Sequence, residues 1–353
     1  MRRHDIDTIR VIALCLLILY HILVGFQPWG VYISFITNRE SLEPLWKAME
    51  LINIWRIPIL FVVSGMGVYF AMERRNWKQL FEDRTLRIFV PFIFGYHFVV
   101  PIYWFIFNHY YEKSQFYFPN PGHLWFLGNI FAYVLIFLPL LNYLKNHPEN
   151  RLYRLVSAIL RKPFGIVLLF ASPLMCEALL ATPEEGYALF AFTIHGLLIG
   201  AICFFSGFVL VASGEYFWGA VKKVKTVTLI FALSLYIIRI AGIGWFEGSF
   251  AQSISIPFES ACWMLSAFGF AATFLNRPSK VLTYLSAAVY PVYVVHMPVQ
   301  FFFSSIIFPS DSPVFVKLIM LILATYGVSL LMFECIKRIK WIRFLFGIKF
   351  SGA

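Results

Sequence analysis

Long apolar runs separated by short polar segments recur along the whole chain. Each run is about as long as the roughly 20 residues that an α-helix needs to cross a bilayer. The runs lie at approximately 9–26, 48–72, 86–107, 124–144, 163–181, 187–212, 225–246, 255–276, 281–308 and 314–336. This pattern predicts an all-α integral membrane protein, a single bundle of about ten transmembrane helices formed by residues 1–353.

The composition and the placement of charge support a membrane protein. With 60% hydrophobic and 13% charged residues, the chain has more apolar surface than one soluble core needs. The net charge of +11 comes mainly from lysines and arginines at the N-terminus, in the even-numbered connections between runs and at the C-terminus. Positively charged connections stay in the cytoplasm, so both termini are predicted there. The charge therefore indicates topology in a lipid bilayer, and nucleic acid is not an expected partner.

The first apolar run carries side chains that a membrane helix rarely tolerates. An arginine at the centre of such a helix costs roughly 3 kcal/mol, so Arg10 and His21 are candidate functional residues. They are eleven residues apart and share one face of a helix. Asp7 precedes Arg10 by one helical turn and can accept its hydrogen bonds. The alternative is that Arg10 only anchors the helix at the interface and that His21 is a satisfied polar group.

Other polar groups are predicted to converge at the depth of His21. Arg56 lies about ten residues into the second run, and His296 lies about fifteen residues into the ninth. His123 opens the fourth run at the outer surface. Facing one cavity, these groups would form a cationic, aromatic site with several proton acceptors. The sequence leaves open the roles of four further intramembrane polar residues, for which an interhelical hydrogen bond is the alternative: His97, His195, Arg239 and Glu259.

A pair of arginines lies in the predicted cytoplasmic connection between the second and third runs. Arg84 and Arg87, in "RTLRIFVP" (84–91), are one helical turn apart. Two guanidinium groups at this spacing suit phosphate groups. The alternative is that the pair serves topology or binds anionic lipid.

No cluster of metal ligands or paired cysteines stands out in the sequence. The histidines are scattered without paired ligand spacing, so no metal site is expected. Packing is the prediction for the cysteines, which lie in or beside apolar runs without a CxxC pair: Cys15, Cys176, Cys203, Cys262 and Cys335.

Several motifs together resemble those of the membrane-bound acyltransferase family 3. Arg10, ten intervening residues and His21 match the first-helix signature of that family, with Asp7 three residues before the arginine. The resemblance covers nearly the whole chain. Within the family, the chain looks most like the branch that modifies periplasmic glucans. Further blocks that resemble the family are "RIPILFVVSGMGVYF" (56–70), "RTLRIFVP" (84–91), "HLWFL" (123–127) and "AAVYPVYVVHMPVQFFF" (287–303).

The resemblance implies a membrane-embedded O-acyltransferase, multi-pass in a bacterial inner membrane, with residues 1–353 as its acyltransferase domain. The expected co-substrate is cytoplasmic acyl-CoA, either acetyl-CoA or succinyl-CoA, and no permanently bound cofactor is expected. The expected acceptor is a hydroxyl group of an extracytoplasmic carbohydrate such as a glucan.

The resemblance also implies roles for the candidate residues. His21 is the expected general base, and Arg10 and Asp7 complete the catalytic signature. Arg84 and Arg87 are expected to bind acyl-CoA. A guanidinium or imidazole near the acyl group could stabilise an oxyanion or a carboxylated acyl group, and aromatic rings could stack on sugar. The expected substrate-binding residues are Arg56, His123, Trp125, Tyr293 and His296.

Two other functions fit the placement of polar residues. A transporter or flippase of a sugar-linked substrate also needs intramembrane charges and kinked helices, and it would move substrate without consuming acyl-CoA. A non-catalytic membrane sensor would use the same cavity to bind a ligand and signal through a partner. The family resemblance favours acyl transfer over both.

Overall fold

The computed structural model describes residues 3–183, 186–242 and 249–348. Helices dominate these ranges, and the described residues contain no β-strand, so the prediction of an all-α protein is confirmed. In chain order the helices are α1 (His4–Val24), α2 (Leu45–Asn53), α3 (Arg56–Met72), α4 (Trp77–Arg84), α5 (Val90–Phe94), α6 (Val100–Tyr110), α7 (Trp125–Asn146), α8 (Arg151–Leu160), α9 (Gly165–Ala181), α10 (Ile194–Ala212), α11 (Glu215–Ile240), α12 (Ser249–Phe270), α13 (Lys280–Ile307) and α14 (Val314–Arg338).

Within the described ranges, eight helical segments are long and apolar enough to cross a membrane. α8 and α9 meet at a bend of 119° and count as a ninth span if they are taken together. A protein with several membrane spans is therefore confirmed, whereas the number ten and the location of the termini stay predictions. The eight segments are His4–Val24, Leu45–Met72, Trp77–Tyr110, Gly122–Asn146, Ile194–Ala212, Phe250–Leu275, Lys280–Ile307 and Val314–Arg338.

Two predicted runs differ from the helices found at those positions. The run at 163–181 corresponds to α9, which has only 17 residues and follows the sharp bend. The run at 225–246 corresponds to part of α11, which begins earlier and carries three lysines in its first half. Residues 243–246 of that run lie outside the described residues. Short length in α9 and charge in α11 are the reasons that neither helix alone qualifies as a membrane span.

The helices form two compact units that alternate along the chain. The first unit holds α3 and α8 to α12, whereas the second holds α5, α6, α14 and nearly all of α13. α1 and α7 each contribute residues to both units. The first unit consists of Met1–Ala13, Leu51–Phe81 and Ala132–Leu282, and the second of Leu14–Glu50, Glu82–Phe131 and Thr283–Ala353.

In the first unit, α3 and α10 pack closely because glycines face the neighbouring backbone. A Cβ atom built on Gly65 would lie 1.8 Å from the carbonyl oxygen of Phe204, and one built on Gly207 would lie 2.0 Å from that of Val62. Small residues allow membrane helices to approach in this way, and close packing replaces the hydrophobic effect as the source of association. The two glycines therefore set the separation of α3 and α10.

In the second unit, prolines rearrange the hydrogen bonds of the helical backbone. Two π turns, Thr85–Phe89 and Gly95–Val99, join α4, α5 and α6. Pro101 follows the second turn and has no N–H group to donate to the carbonyl of His97. The hydroxyl of Tyr117 donates to that carbonyl instead, at 2.9 Å. Side chains thus bond backbone groups that the prolines leave without a helical donor.

Replacing Gly65 or Gly207 with alanine is expected to destabilise the protein by about 1–3 kcal/mol, because the added methyl group would overlap backbone that cannot move aside. Gly219→Ala is the matched control, since a Cβ atom there meets nothing within 4 Å. Thermal unfolding of the purified protein in detergent measures the difference. Equal melting temperatures for Gly65→Ala and Gly219→Ala would contradict the close packing of α3 and α10.

Candidate functional site

In the second unit, α1 and α13 bring two histidines into contact. The Nδ1 atom of His21 lies 3.0 Å from the Nε2 atom of His296. The two rings are nearly parallel, with an angle of 3° between their planes and 5.3 Å between their centroids. His296 is completely buried, whereas His21 is only half-buried. At a separation of 3.0 Å, one ring must donate an N–H hydrogen bond to the other. His21 is the more accessible member of the pair.

The backbone determines which nitrogen atoms of this pair carry protons. The Nδ1 atom of His296 lies 2.7 Å from the carbonyl oxygen of Tyr293. A carbonyl only accepts hydrogen bonds, so Nδ1 of His296 is the protonated nitrogen and Nε2 of the neutral ring is an acceptor. His21 then donates its Nδ1–H to His296. In its neutral form, His21 consequently carries a lone pair on Nε2, which is the requirement for a base.

Gln300 positions the end of α1 that carries His21. The Nε2 atom of Gln300 donates to the carbonyl oxygen of His21 at 2.8 Å. The N–H of Gly25 donates to Ile22, so the carbonyl of His21 has lost the donor that a continuing α-helix would supply. Gln300 is not among the residues predicted from the sequence. Its signal was present, because Gln300 lies four residues after His296 and on the same helical face.

His123 is bonded to a segment of α13 that contains a proline. Its Nε2 atom lies 3.2 Å from the carbonyl oxygen of Tyr293 and 3.3 Å from that of Val294. Pro298 has no N–H group, so the carbonyl of Val294 lacks its helical donor. In the neutral ring of His123, Nε2 is therefore protonated. The rings of His123 and His296 also meet edge to face, with 5.0 Å between centroids.

The local backbone holds His123 in place. Gly122 adopts a φ of +47°, and a Cβ atom on it would lie 2.0 Å from the hydroxyl of Tyr103, so this position requires glycine. The hydroxyl of Tyr293 donates to the carbonyl of His123. The structure thus brings together four of the predicted site residues in the second unit: His21, His123, Tyr293 and His296.

Three predicted site residues belong to the first unit. Nη1 of Arg10 lies 3.4 Å from Oδ1 of Asp7, and the side chain of Arg10 is 30% exposed. The guanidinium of Arg10 also lies 3.7 Å from the Cβ position of Gly67 in α3. Arg56 is buried at the start of α3 and donates to the side chain of Asn53. That Arg56 faces one cavity with the histidines stays a prediction.

The remaining predicted residues lie elsewhere in the second unit. Trp125 begins α7, and its ring lies 6.4 Å from that of Phe126. Arg84 ends α4, and Arg87 lies in the following π turn, with its Nε atom 3.6 Å from Oδ1 of Asp83. The two arginines are therefore separated by a change from α to π geometry rather than by a regular helical turn.

The residues without an assigned role have partners of their own. Arg239 donates two hydrogen bonds to Glu259, at 2.9 and 3.0 Å. His195 lies 2.9 Å from Oε1 of Glu177, and its other ring nitrogen lies 2.8 Å from a backbone carbonyl. His97 is exposed, next to Tyr117. The first two pairs join neighbouring helices of the first unit. Within the described ranges, no group of three or more histidine, cysteine or carboxylate side chains is placed to hold a metal ion.

The fold and the histidine cluster define a multi-span membrane protein with three imidazole rings in contact. A family profile described as an acyltransferase domain matches residues 3–334. The chain belongs to this family, acyltransferase family 3. The resemblance drawn from its motifs is therefore confirmed.

The chain is also similar to curated proteins along its whole length. Glucans biosynthesis protein C of Escherichia coli (strain SMS-3-5 / SECEC) is 23% identical over 388 aligned residues, which cover 99% of this chain and 95% of that protein. The protein of the same name from Escherichia coli O6:K15:H31 (strain 536 / UPEC) is 23% identical over 387 residues with the same coverage. No solved structure matches the chain.

The hydrogen bonds of the cluster predict a tautomer for each ring. In their neutral forms, His296 should be protonated at Nδ1 and His123 at Nε2, because each of these nitrogens contacts a backbone carbonyl. His21 should be protonated at Nδ1, because it donates to Nε2 of His296. Solid-state NMR of the protein labelled with ¹⁵N-histidine distinguishes these forms. The variants His21→Ala, His123→Ala and His296→Ala assign the signals. Protonation of His296 at Nε2 would contradict the proposed direction of the hydrogen bond to His21.

Proposed function

We propose that this acyltransferase moves an acetyl or succinyl group from cytoplasmic acyl-CoA to a hydroxyl group of an extracytoplasmic glucan, with His21 as the general base. Membership of the family supports acyl transfer, and the relatives named for glucan biosynthesis support a glycan acceptor. The proposal places about ten spans in a bacterial inner membrane with both termini in the cytoplasm, as the charge distribution favours. The donor would then bind at the inner face and the acceptor at the outer face.

The hydrogen bond between His21 and His296 is the observation that carries the proposal. A sugar hydroxyl is a weak acid and needs a base in the transition state. The Nε2 lone pair of His21 can take that proton while Nδ1–H remains bonded to His296, 3.0 Å away. His296 accepts this bond as a neutral ring, so it also stabilises the imidazolium that forms.

The reaction balances without a covalent acyl-enzyme. The hydroxyl oxygen attacks the thioester carbonyl as its proton moves to Nε2 of His21, and a C–O bond forms. The C–S bond then breaks, and the departing sulfur of CoA receives the proton from His21. The products are the glycan ester and CoA thiol, and His21 is again neutral.

The neutral forms of His123 and His296 both donate to backbone carbonyls. In this state they have no N–H left for an oxyanion, so we assign them to positioning of the base. Arg56 is then the proposed donor to the oxyanion or to the carboxylate of a succinyl group. Trp125 is the proposed stacking surface for sugar.

Transfer is tested by the release of CoA thiol from acetyl-CoA or succinyl-CoA, with purified protein and a glucan acceptor. His21→Ala is expected to lower the rate about 100- to 10,000-fold, the usual contribution of a general base. His296→Ala should lower it about tenfold or more, because one hydrogen bond to a charged group is worth ~1.5–3 kcal/mol. His147→Ala is the matched control, since His147 is exposed.

If His21→Ala still releases CoA thiol in an acceptor-dependent way, His21 is not the general base. If neither donor reacts and neither binds, acyl transfer fails, and movement of a sugar-linked substrate across vesicles should be measured next.

Arg84 and Arg87 are proposed to bind the phosphates of CoA. Replacing either with alanine should raise KM for acyl-CoA about tenfold and leave kcat nearly unchanged, because phosphate binding acts equally on substrate and transition state. Lysine should restore only part of the affinity, since it lacks the planar fork of arginine. Arg277→Ala, at another exposed position, is the control. An effect on kcat alone would place the pair outside the donor site.

A further inference from the structure

A cavity of about 370 Å³ lies within the first unit, where α3, α7 and α10 end and α8 and α11 begin. This volume falls within the roughly 300–1,000 Å³ of sites for small ligands. The proposed topology places these helix ends at the cytoplasmic face. None of the residues assigned to acyl transfer lines the cavity. The polar and aromatic lining includes Tyr69, Glu73, Lys145, Tyr153, Ser157 and Tyr216.

Tyr153, which lines this cavity, has a buried hydroxyl without a partner among the described residues. Tyr153 is only 9% exposed, and its hydroxyl has no hydrogen bond to any described residue. Buried tyrosine hydroxyls are normally bonded. The backbone at Tyr153 is fixed, because Asn150 caps α8 and accepts the backbone N–H of Tyr153 at 3.0 Å. The hydroxyl of Tyr153 is therefore a candidate hydrogen-bond donor to a ligand in the cavity.

One cationic side chain, Lys145, lines the cavity, and a second, Arg161, contacts the lining residue Tyr216. The ammonium of Lys145 donates to the carbonyl of Arg75 at 3.1 Å, and an ammonium has further donors to offer. The guanidinium of Arg161 lies 4.6 Å from the ring centre of Tyr216 and donates to its hydroxyl at 2.7 Å. Glu73, which is exposed, supplies one carboxylate. This set suits a phosphate that carries hydroxyl groups, since the cations bind the phosphate and the carboxylate accepts from hydroxyls.

The surroundings of the cavity favour a lipid over a soluble ligand. Ile136 and Leu140 on α7 are 67% and 41% exposed, and Leu144, one turn further, lines the cavity. Residues at this spacing form one stripe along a helix, which runs from the exposed Ile136 and Leu140 to the buried Leu144 at the cavity. α8 bends 119° away from α9 and exposes Leu155, as expected of a helix that lies in the interface of the bilayer.

We propose that this cavity binds the head group of an anionic phospholipid of the phosphatidylglycerol type. The phosphate would bind Lys145 and the hydroxyl of Tyr153, and the glycerol hydroxyls would bind Glu73. The acyl chains would follow the apolar stripe of α7. Basic pockets between membrane helices at the cytoplasmic face bind other anionic head groups, those of cardiolipin and of phosphoinositides.

The test measures lipid binding by the whole protein, delipidated in detergent. Phosphatidylglycerol, added in mixed micelles, should raise the melting temperature and remain bound in native mass spectrometry, whereas phosphatidylcholine should not. Tyr153→Phe should weaken phosphatidylglycerol binding about tenfold, the effect of one hydrogen bond to a charged acceptor. Without lipid, Tyr153→Phe should have the same melting temperature as the wild type, because the substitution breaks no hydrogen bond to a described residue.

Two further variants separate binding from folding. Tyr143→Phe removes the hydroxyl of an exposed tyrosine on α7 outside the cavity, and it should bind lipid like the wild type. Ser157→Phe should fill the cavity and abolish the lipid effect. Equal binding of phosphatidylglycerol by the wild type, Tyr153→Phe and Ser157→Phe would overturn the proposal.

Soluble probes distinguish the source of the phosphate. Glycerol 1-phosphate should bind far more weakly than phosphatidylglycerol, because it cannot use the apolar stripe. Equal affinity for the two would overturn a lipid site. Displacement of the lipid by adenosine 3′,5′-bisphosphate at comparable concentrations would assign the cavity to a nucleotide instead.

Discussion

A carbonyl group inside a bilayer has no water to bond, so each one must find a donor within the protein. The candidate active site depends on this constraint. Pro298 supplies no N–H group to the carbonyl of Val294, and His123 lies 3.3 Å from that oxygen. At the end of α1, Gln300 donates to the carbonyl of His21. The positions of both imidazoles thus follow from backbone groups that the helices leave without donors.

The same need for hydrogen-bond donors also determines which histidine nitrogens carry protons. The carbonyl of Tyr293 holds the proton of His296 on Nδ1, and this leaves Nε2 to accept from His21. One backbone oxygen thereby orients two rings and keeps the lone pair of neutral His21 on Nε2. In the proposed reaction, the base requires no carboxylate partner, because the neutral ring of His296 serves as the acceptor.

In the first unit, two pairs of polar side chains from neighbouring helices bond each other. Arg239 pairs with Glu259, and His195 pairs with Glu177, so buried charge is matched by opposite charge or by a shared proton. Such pairs are expensive to break once buried. The pairs join α11 to α12 and α9 to α10, and the glycines pack α3 against α10, so these contacts together make this unit a packed scaffold. The cavity beside α8 is the exception, since the hydroxyl of Tyr153 has no partner in the part of the chain that the structure describes.

Hydropathy, charge bias and short motifs are local properties, and they were enough to predict the helical class, the membrane setting and the family. The sequence also placed Arg10 and His21 on one face of a single helix, since helical geometry sets their relation. Only the tertiary structure decided the partner of His21. His21 and His296 are 275 residues apart in the chain, and their contact depends on how α1 and α13 pack. The tautomers, the role of Gln300 and the cavity at Tyr153 were decided in the same way, because each arises from contacts between different helices.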